Sequence, residues 1–95
     1  MFNQFIKYLN KNIPSKLQIS TNYFSGELHS ITINFDSDKV LGQFTAWHDL
    51  KSTSEFIQYE TGEQLFWHCS FNQNIDELIN ELELFIKKAE EYSNN

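Results

Sequence analysis

The segment LHSITINFD (28–36) constrains the fold of this 95-residue chain most strongly. The apolar residues Ile31, Ile33 and Phe35 alternate with polar ones, and successive side chains of a strand point to opposite faces of a sheet. The alternation therefore predicts a strand with one apolar and one polar face. Such a strand needs neighbouring strands and a covering layer that shields its apolar face from water.

Four more segments have the residue types and turn boundaries of strands: 16–24, 40–48, 54–60 and 64–71. Turn-forming residues separate the strands at 25–27, 36–39 and 60–64. Gly62 is available for a positive φ in the last of these turns. Connections this short predict antiparallel neighbours.

Helical spacing marks both ends of the chain. Residues 2–12 carry an apolar stripe, and Pro14 stops its continuation. Asn74 is a predicted helix N-cap, with Glu77 completing a capping-box pattern. The helix after it has a broad apolar stripe: Ile75, Leu78, Ile79, Leu82, Phe85, Ile86 and Ala89.

Two helices cover only one face of a five-stranded sheet. The sequence therefore predicts a single α+β domain over residues 1–95. It is a two-layer sandwich, an antiparallel sheet of about five strands with the N- and C-terminal helices packed on one face.

The more apolar parity of each strand is predicted to face the helices. These inward residues are Ile31, Ile33, Phe35, Val40, Phe44, Ala46, Ile57, Tyr59, Leu65, Trp67 and Cys69, with Gly42 leaving room for a close neighbour. The open face then holds Thr32, Asn34, Gln43, Thr45, Trp47, Phe56, Gln58, Phe66 and His68. Aromatic residues among polar ones are typical of the centre of a protein–protein interface. The alternative is that the sheet curls and these aromatics pack under the first strand, a loop or a symmetry mate.

The charge and cysteine content narrow the class of protein. The net charge is −6, and all seven cationic residues are lysines, which weighs against nucleic acid as a partner. An acidic surface suits a basic protein partner, or simply keeps the protein soluble. Cys69 is the only cysteine, and no segment has the apolar length of a signal peptide or a membrane span. We therefore expect a soluble cytoplasmic protein.

Reactive side chains do not form a recognisable motif. His68 and Cys69 are adjacent on a predicted strand and so point to opposite faces. The three histidines lack the spacing of metal ligands, and phosphate-loop and nucleophile-elbow motifs are absent from the sequence. We therefore expect no catalytic residues, no metal and no cofactor.

Two long segments resemble the TriTu family of bacterial immunity proteins: ITINFDSDKVLGQFTAWHDL and YETGEQLFWHCSFNQNIDELINELELFI. The similarity runs from about residue 28 onward, and HDLKSTS replaces a glycine turn after Trp47. The resemblance implies an immunity protein that binds a cognate antibacterial toxin and blocks its active site. In the namesake pair the toxin is an ADP-ribosyltransferase that modifies elongation factor Tu. Such an inhibitor needs no catalytic residues of its own.

The resemblance and the predicted open face together suggest a toxin-binding surface. Trp47, Phe56 and Phe66 are its predicted anchors, and Gln58 and His68 its predicted hydrogen-bonding residues. The acids Asp49, Glu60 and Glu63 would attract a basic NAD-binding cleft. Two alternatives remain: a small acidic secretion chaperone, and an enzyme that reverses a toxin's modification.

Overall fold

The computed structural model describes residues 2–12, 17–24 and 27–93. Its elements in chain order are α1 (Phe2–Asn12), β1 (Leu17–Phe24), β2 (Glu27–Asp36), β3 (Val40–Trp47), β4 (Lys51–Gln58), β5 (Gln64–Phe71) and α2 (Ile75–Ser93). In the described part the strands form one antiparallel sheet in the order β1-β2-β3-β4-β5. The predicted α+β architecture, with a helix at each end of the chain, is confirmed.

Two of the turns between strands contain a residue with a positive φ. Gly62 has φ 72°, as predicted for the β4–β5 turn. Leu50 also has φ 72°, in the short β3–β4 turn, where the Leu50 N–H donates to the Trp47 carbonyl (2.9 Å). This tight turn lets β4 begin at Lys51, three residues before the predicted start. The turn predicted at 25–27 falls largely on residues 25 and 26, outside the described residues.

The predicted N-cap of α2 is confirmed. The Glu77 backbone N–H donates to Asn74 Oδ1 at 2.9 Å. The Glu77 carboxylate in turn accepts from the Gln73 backbone N–H at 3.1 Å. The Asn74 side chain thus satisfies an N–H group of the first helical turn, and Glu77 bonds back to the residue before the cap.

The core lies between one face of the sheet and the two helices. The Phe44 ring on β3 contacts Phe5 of α1 (centroids 6.5 Å apart) and Phe85 of α2 (5.6 Å). Ile31, Ile33, Phe35, Val40 and Ala46 are buried on the same face, as predicted. The Tyr8 hydroxyl of α1 donates to Glu83 of α2, which ties the helices together on their outer side.

The predicted orientation of β4 and β5 is wrong. Phe56 is fully buried, whereas Tyr59 is 62% exposed. Phe56 lies opposite Gly42, and a Cβ at Gly42 would stand only 2.5 Å from Phe56 Cε1. Gly42 leaves room for a close neighbour, as predicted, but that neighbour is Phe56, which the sequence pattern places on the open face.

Strand β5 follows the orientation of β4. Phe66 lies opposite Phe56, with ring centroids 6.3 Å apart, and it packs against the core. Trp67 and Leu65, predicted to face the helices, are 55% and 39% exposed. Cys69, on the same side as Trp67, lies opposite Thr53 and outside the buried core.

Candidate protein interface

The sheet face opposite the helices forms the candidate site, and we call it the open face. Cross-strand register orders it into rows. One row contains Trp47, Lys51 and Phe71, the next Thr45, Thr53 and Cys69, and a third Gln43, Glu55 and Trp67. The polar residues lie mainly on β2 and β3. The large aromatic residues are Trp67 and Phe71 on β5 and Trp47 at the end of β3.

An aromatic cluster with one lysine lies at one end of the open face. The Lys51 ammonium is 5.5 Å from the centroids of both the Trp47 and Phe71 rings. Phe71 is 77% exposed and Trp47 is half-buried. Cation–π contact at exposed sites contributes about 0.5–1 kcal/mol, and it also holds the rings in place.

Trp67 extends this apolar surface along the edge of the sheet. It is four residues from Phe71, roughly 13 Å along the strand, on the same face. A polar pair adjoins it, in which Gln64 Nε2 donates to Glu55 Oε2 at 2.8 Å. A second pair lies farther across the open face, on β2 and β3, where Gln43 Nε2 is 3.5 Å from Asn34 Oδ1. Exposed aromatics with a polar surround are typical of interface centres.

On the helix side of β5 there is a groove of about 380 Å³. Its walls include Phe66 and His68 from β5 and Glu81, Leu84 and Lys88 from α2. His68 Nε2 lies 3.5 Å from Glu81 Oε2, and the Lys88 ammonium lies 4.7 Å from the Phe66 ring centroid. Strand β5 therefore has apolar surface on both sides of its free edge.

The predicted site residues are distributed over both faces. Trp47 lies on the open face. Phe56, Gln58, Phe66 and His68 have the opposite parity, so their predicted placement on the open face is wrong.

The helix-side residues differ in how accessible they are. Phe56 has no exposed surface, and Gln58 Oε1 accepts from Thr61 in the β4–β5 turn at 3.2 Å. Phe66 and His68 instead line the groove, where a partner can reach them.

The three predicted rim acids are all exposed, but they do not form one rim. Asp49 lies in the β3–β4 turn, where its carboxylate accepts from the Lys51 N–H at 3.1 Å. Glu60 and Glu63 lie in the β4–β5 turn, at the other end of β4. Eight residues of strand separate the two ends by roughly 27 Å.

Sequence reasoning missed three residues of this surface: Lys51, Trp67 and Phe71. For β4, the charged residues could have indicated the orientation. Lys51 and Glu55 lie on the same side of the strand as Ile57. Charged side chains are rarely buried without a partner, so that parity faces solvent and Phe56 faces the core.

The reactive side chains lie apart from one another. His68 is opposite Ser54 on the helix side, whereas Cys69 is opposite Thr53 on the open face, so the two point away from each other as predicted. His29 and His48 are cross-strand neighbours with ring centroids 4.9 Å apart. Within residues 2–12, 17–24 and 27–93, no group of three or more His, Cys, Asp or Glu side chains is arranged to hold a metal ion.

The chain has a small α+β fold, with a helix-covered core on one face of the sheet and exposed aromatics on the other. The sequence profile of the TriTu immunity protein family matches residues 3–88, and the chain belongs to this family. The match confirms the resemblance and extends it into the N-terminal helix. No curated protein matches the chain. Among the helices described, none has the length and apolarity needed to cross a membrane.

Proposed function

We propose that this immunity protein binds the catalytic domain of a cognate antibacterial toxin and covers its active site, from within the cytoplasm. The observation that carries the proposal is the open face, where Trp47, Lys51, Trp67 and Phe71 present large side chains that the fold does not use for its own core. Truncating an aromatic anchor at an interface centre typically costs about 2 kcal/mol or more of binding.

The proposed toxin is an ADP-ribosyltransferase, as the TriTu resemblance implies. An enzyme that binds the phosphates of NAD needs cationic groups in its cleft. The chain has a net charge of −6, and Asp49, Glu60 and Glu63 are exposed in the turns at the two ends of β4. Opposite charges accelerate association, so the association rate should fall as ionic strength rises.

The test is co-purification with the polypeptide encoded immediately upstream, followed by titration of that polypeptide's NAD-consuming activity. A stoichiometric inhibitor abolishes the activity with a break at one-to-one. Protection at trace amounts would instead indicate an enzyme that reverses the modification. Light scattering addresses the chaperone alternative, because a stable dimer that binds only the unfolded polypeptide would contradict the proposal.

A matched pair of variants assigns the surface. Leu65 on the β5 edge and Ile19 on β1 are each 39% exposed. We expect Leu65→Ala to weaken the complex and Ile19→Ala to leave it unchanged. Equal effects of the two substitutions would contradict the proposed surface while leaving inhibition itself intact.

A further inference from the structure

In the part of the chain that the structure describes, β5 is an edge strand of the sheet, and this edge is unusually suited to pair with another strand. Sheet edges are normally protected by charged residues or proline, because they present unpaired backbone groups. Residues Gln64–Phe71 contain no Lys, Asp, Glu or Pro. Among the described residues, three of the six exposed large hydrophobic side chains lie on this strand: Leu65, Trp67 and Phe71.

The register identifies which backbone groups face outward. The Asn72 N–H donates to the Leu50 carbonyl (3.1 Å), and the Gln58 N–H donates to the Glu63 carbonyl (2.8 Å). Hydrogen-bonded pairs alternate along an antiparallel ladder, so residues 66, 68 and 70 bond to β4. The N–H and C=O groups of Trp67, Cys69 and Phe71 therefore point away from the sheet.

An added strand would have a place for both of its rows of side chains. One row would enter the groove between Phe66 and Leu84, and the other would lie beside Trp67 and Phe71 on the open face. In strand addition, main-chain hydrogen bonds provide affinity, and pockets for alternate side chains provide specificity.

The charges at this edge favour a basic segment over a second copy of the chain. Lys88 lies on the Phe66 ring, and Lys51 lies between Trp47 and Phe71. Lys87 is a third cation here and also lines the groove. Glu63 and Glu91 beside the edge are exposed. A second copy would bring the same net charge of −6 to this edge, whereas a cationic segment would complement it.

We propose that the toxin domain adds an extended segment to β5 as a further antiparallel or parallel strand, with apolar side chains in the groove and basic ones towards Glu63 and Glu91. This inference rests on the proposed function, because it specifies how the same toxin is bound. Backbone pairing would then contribute to the affinity in addition to side-chain contact.

Amide hydrogen exchange measured by NMR on the wild-type protein tests the pairing. The upstream-encoded polypeptide is the probe. On binding, the amides of Trp67, Cys69 and Phe71 should exchange at least about 100-fold more slowly, since backbone pairing in a buried ladder protects amides. The amides of Ile19 and Thr21 on β1 should keep their rates.

Each other outcome overturns the inference, and the outcomes are distinguishable. A stable inhibitory complex in which the three β5 amides exchange as in the free protein refutes strand addition and leaves the proposed function standing. Protection that rises with protein concentration without the probe indicates a second copy instead. Failure to form a complex refutes both proposals for that polypeptide.

A pair of substitutions gives an independent readout. Cys69→Pro removes one outward N–H and none that bonds to β4, while Cys69→Val alters the side chain and keeps that N–H. We expect Cys69→Pro to weaken binding at least about tenfold, because the variant loses one hydrogen bond and its ring sterically blocks the added strand. We expect the affinity of Cys69→Val to stay within about threefold of wild type. Equal affinities would refute the pairing. If circular dichroism shows Cys69→Pro unfolded, the exchange experiment decides.

Discussion

The two halves of the sheet differ in the side chains that they place on the open face. In β2 and β3, Ile31, Ile33 and Phe44 lie under the helices, and the open face is mostly polar. In β4 and β5, the buried Ser52 and Ser54 lie on the helix side, while large aromatic residues of β5 occupy the open face.

This difference distinguishes residues that stabilise the fold from residues that are available to bind a partner. Small residues on the helix side of β4 leave space for the Phe85 ring of α2, which stacks on Phe56 with centroids 4.9 Å apart. The aromatic residues of β5 on the other face gain no covering layer from the described elements. Both halves therefore contribute to the core, and the β4–β5 half in addition provides most of the apolar surface that a partner can bury.

We expect the largest effect on stability from truncating Phe56, the one aromatic residue of β4, which lies in the core. Phe56→Ala should lower the free energy of unfolding by about 3–5 kcal/mol, because a fully buried ring leaves a cavity. Tyr59→Ala, which removes the 62% exposed aromatic one residue beyond β4, should change it by less than about 0.5 kcal/mol. Urea denaturation of both variants provides the comparison, and a reversed order would mean that β4 faces the other way.

Trp67→Ala should separate binding from folding. We expect the free energy of toxin binding to weaken by about 2 kcal/mol or more. The free energy of unfolding should fall by less than about 1 kcal/mol, because the indole is more than half exposed in the free protein. Calorimetric titration and thermal unfolding measure the two quantities. A large loss of stability with unchanged affinity would mean that Trp67 belongs to the core and that the open face of β5 is not the binding surface.

Asn72 anchors the end of the β4–β5 half. Its side-chain amide donates to the Leu50 carbonyl (2.8 Å) and to Ser52 Oγ (3.2 Å), and it accepts from Ser70 (2.9 Å). Asn72→Ala should cost about 1–3 kcal/mol, because buried polar groups would lose their partner. The neighbouring exposed Gln73→Ala is the control, and equal stabilities in urea would show that this network contributes nothing.

We expect the smallest effect on stability from removing the hydrogen bond between Tyr8 of α1 and Glu83 of α2. The hydrogen bond to Glu83, together with burial and the charge of that carboxylate, raises the pKa of Tyr8 above its ordinary value of 10.0. A raised folded-state pKa favours the protonated phenol, so its contribution is complete below pH 10 and is lost as the pH rises through the folded-state value. Tyr8→Phe should therefore be less stable than wild type by under about 1 kcal/mol at pH 8.

The pH dependence provides the check on this contact. The stability gap between wild type and Tyr8→Phe should close in urea titrations carried above pH 10, because both proteins share every other alkaline titration. A gap that stays constant with pH would show that the phenol proton is not involved.

Much of the secondary structure could be predicted from local sequence. Alternation in β2, the Asn74 cap and Gly62 in its turn depend on neighbouring residues alone, and all three predictions are confirmed. The start of β4 was missed because Leu50 adopts a positive φ, which is uncommon for a residue with a branched side chain.

The orientation of the last two strands was harder to predict. Lys51 and Glu55 carry a signal for β4, but β5 has no acidic or cationic residue apart from His68, and both of its parities contain large aromatics. Its apolar pattern is therefore satisfied by either orientation.

Short-range periodicity and a pattern spread over most of the chain are enough to predict the elements, their antiparallel pairing and the immunity protein family. Which aromatics are core and which are surface depends instead on packing between strands. Phe66 rather than Trp67 packs against the core because β5 must pair with β4 in register, and β4 is fixed by the Phe56 ring above Gly42. A one-residue slip would exchange the two faces, and only packing across strands distant in sequence prevents it.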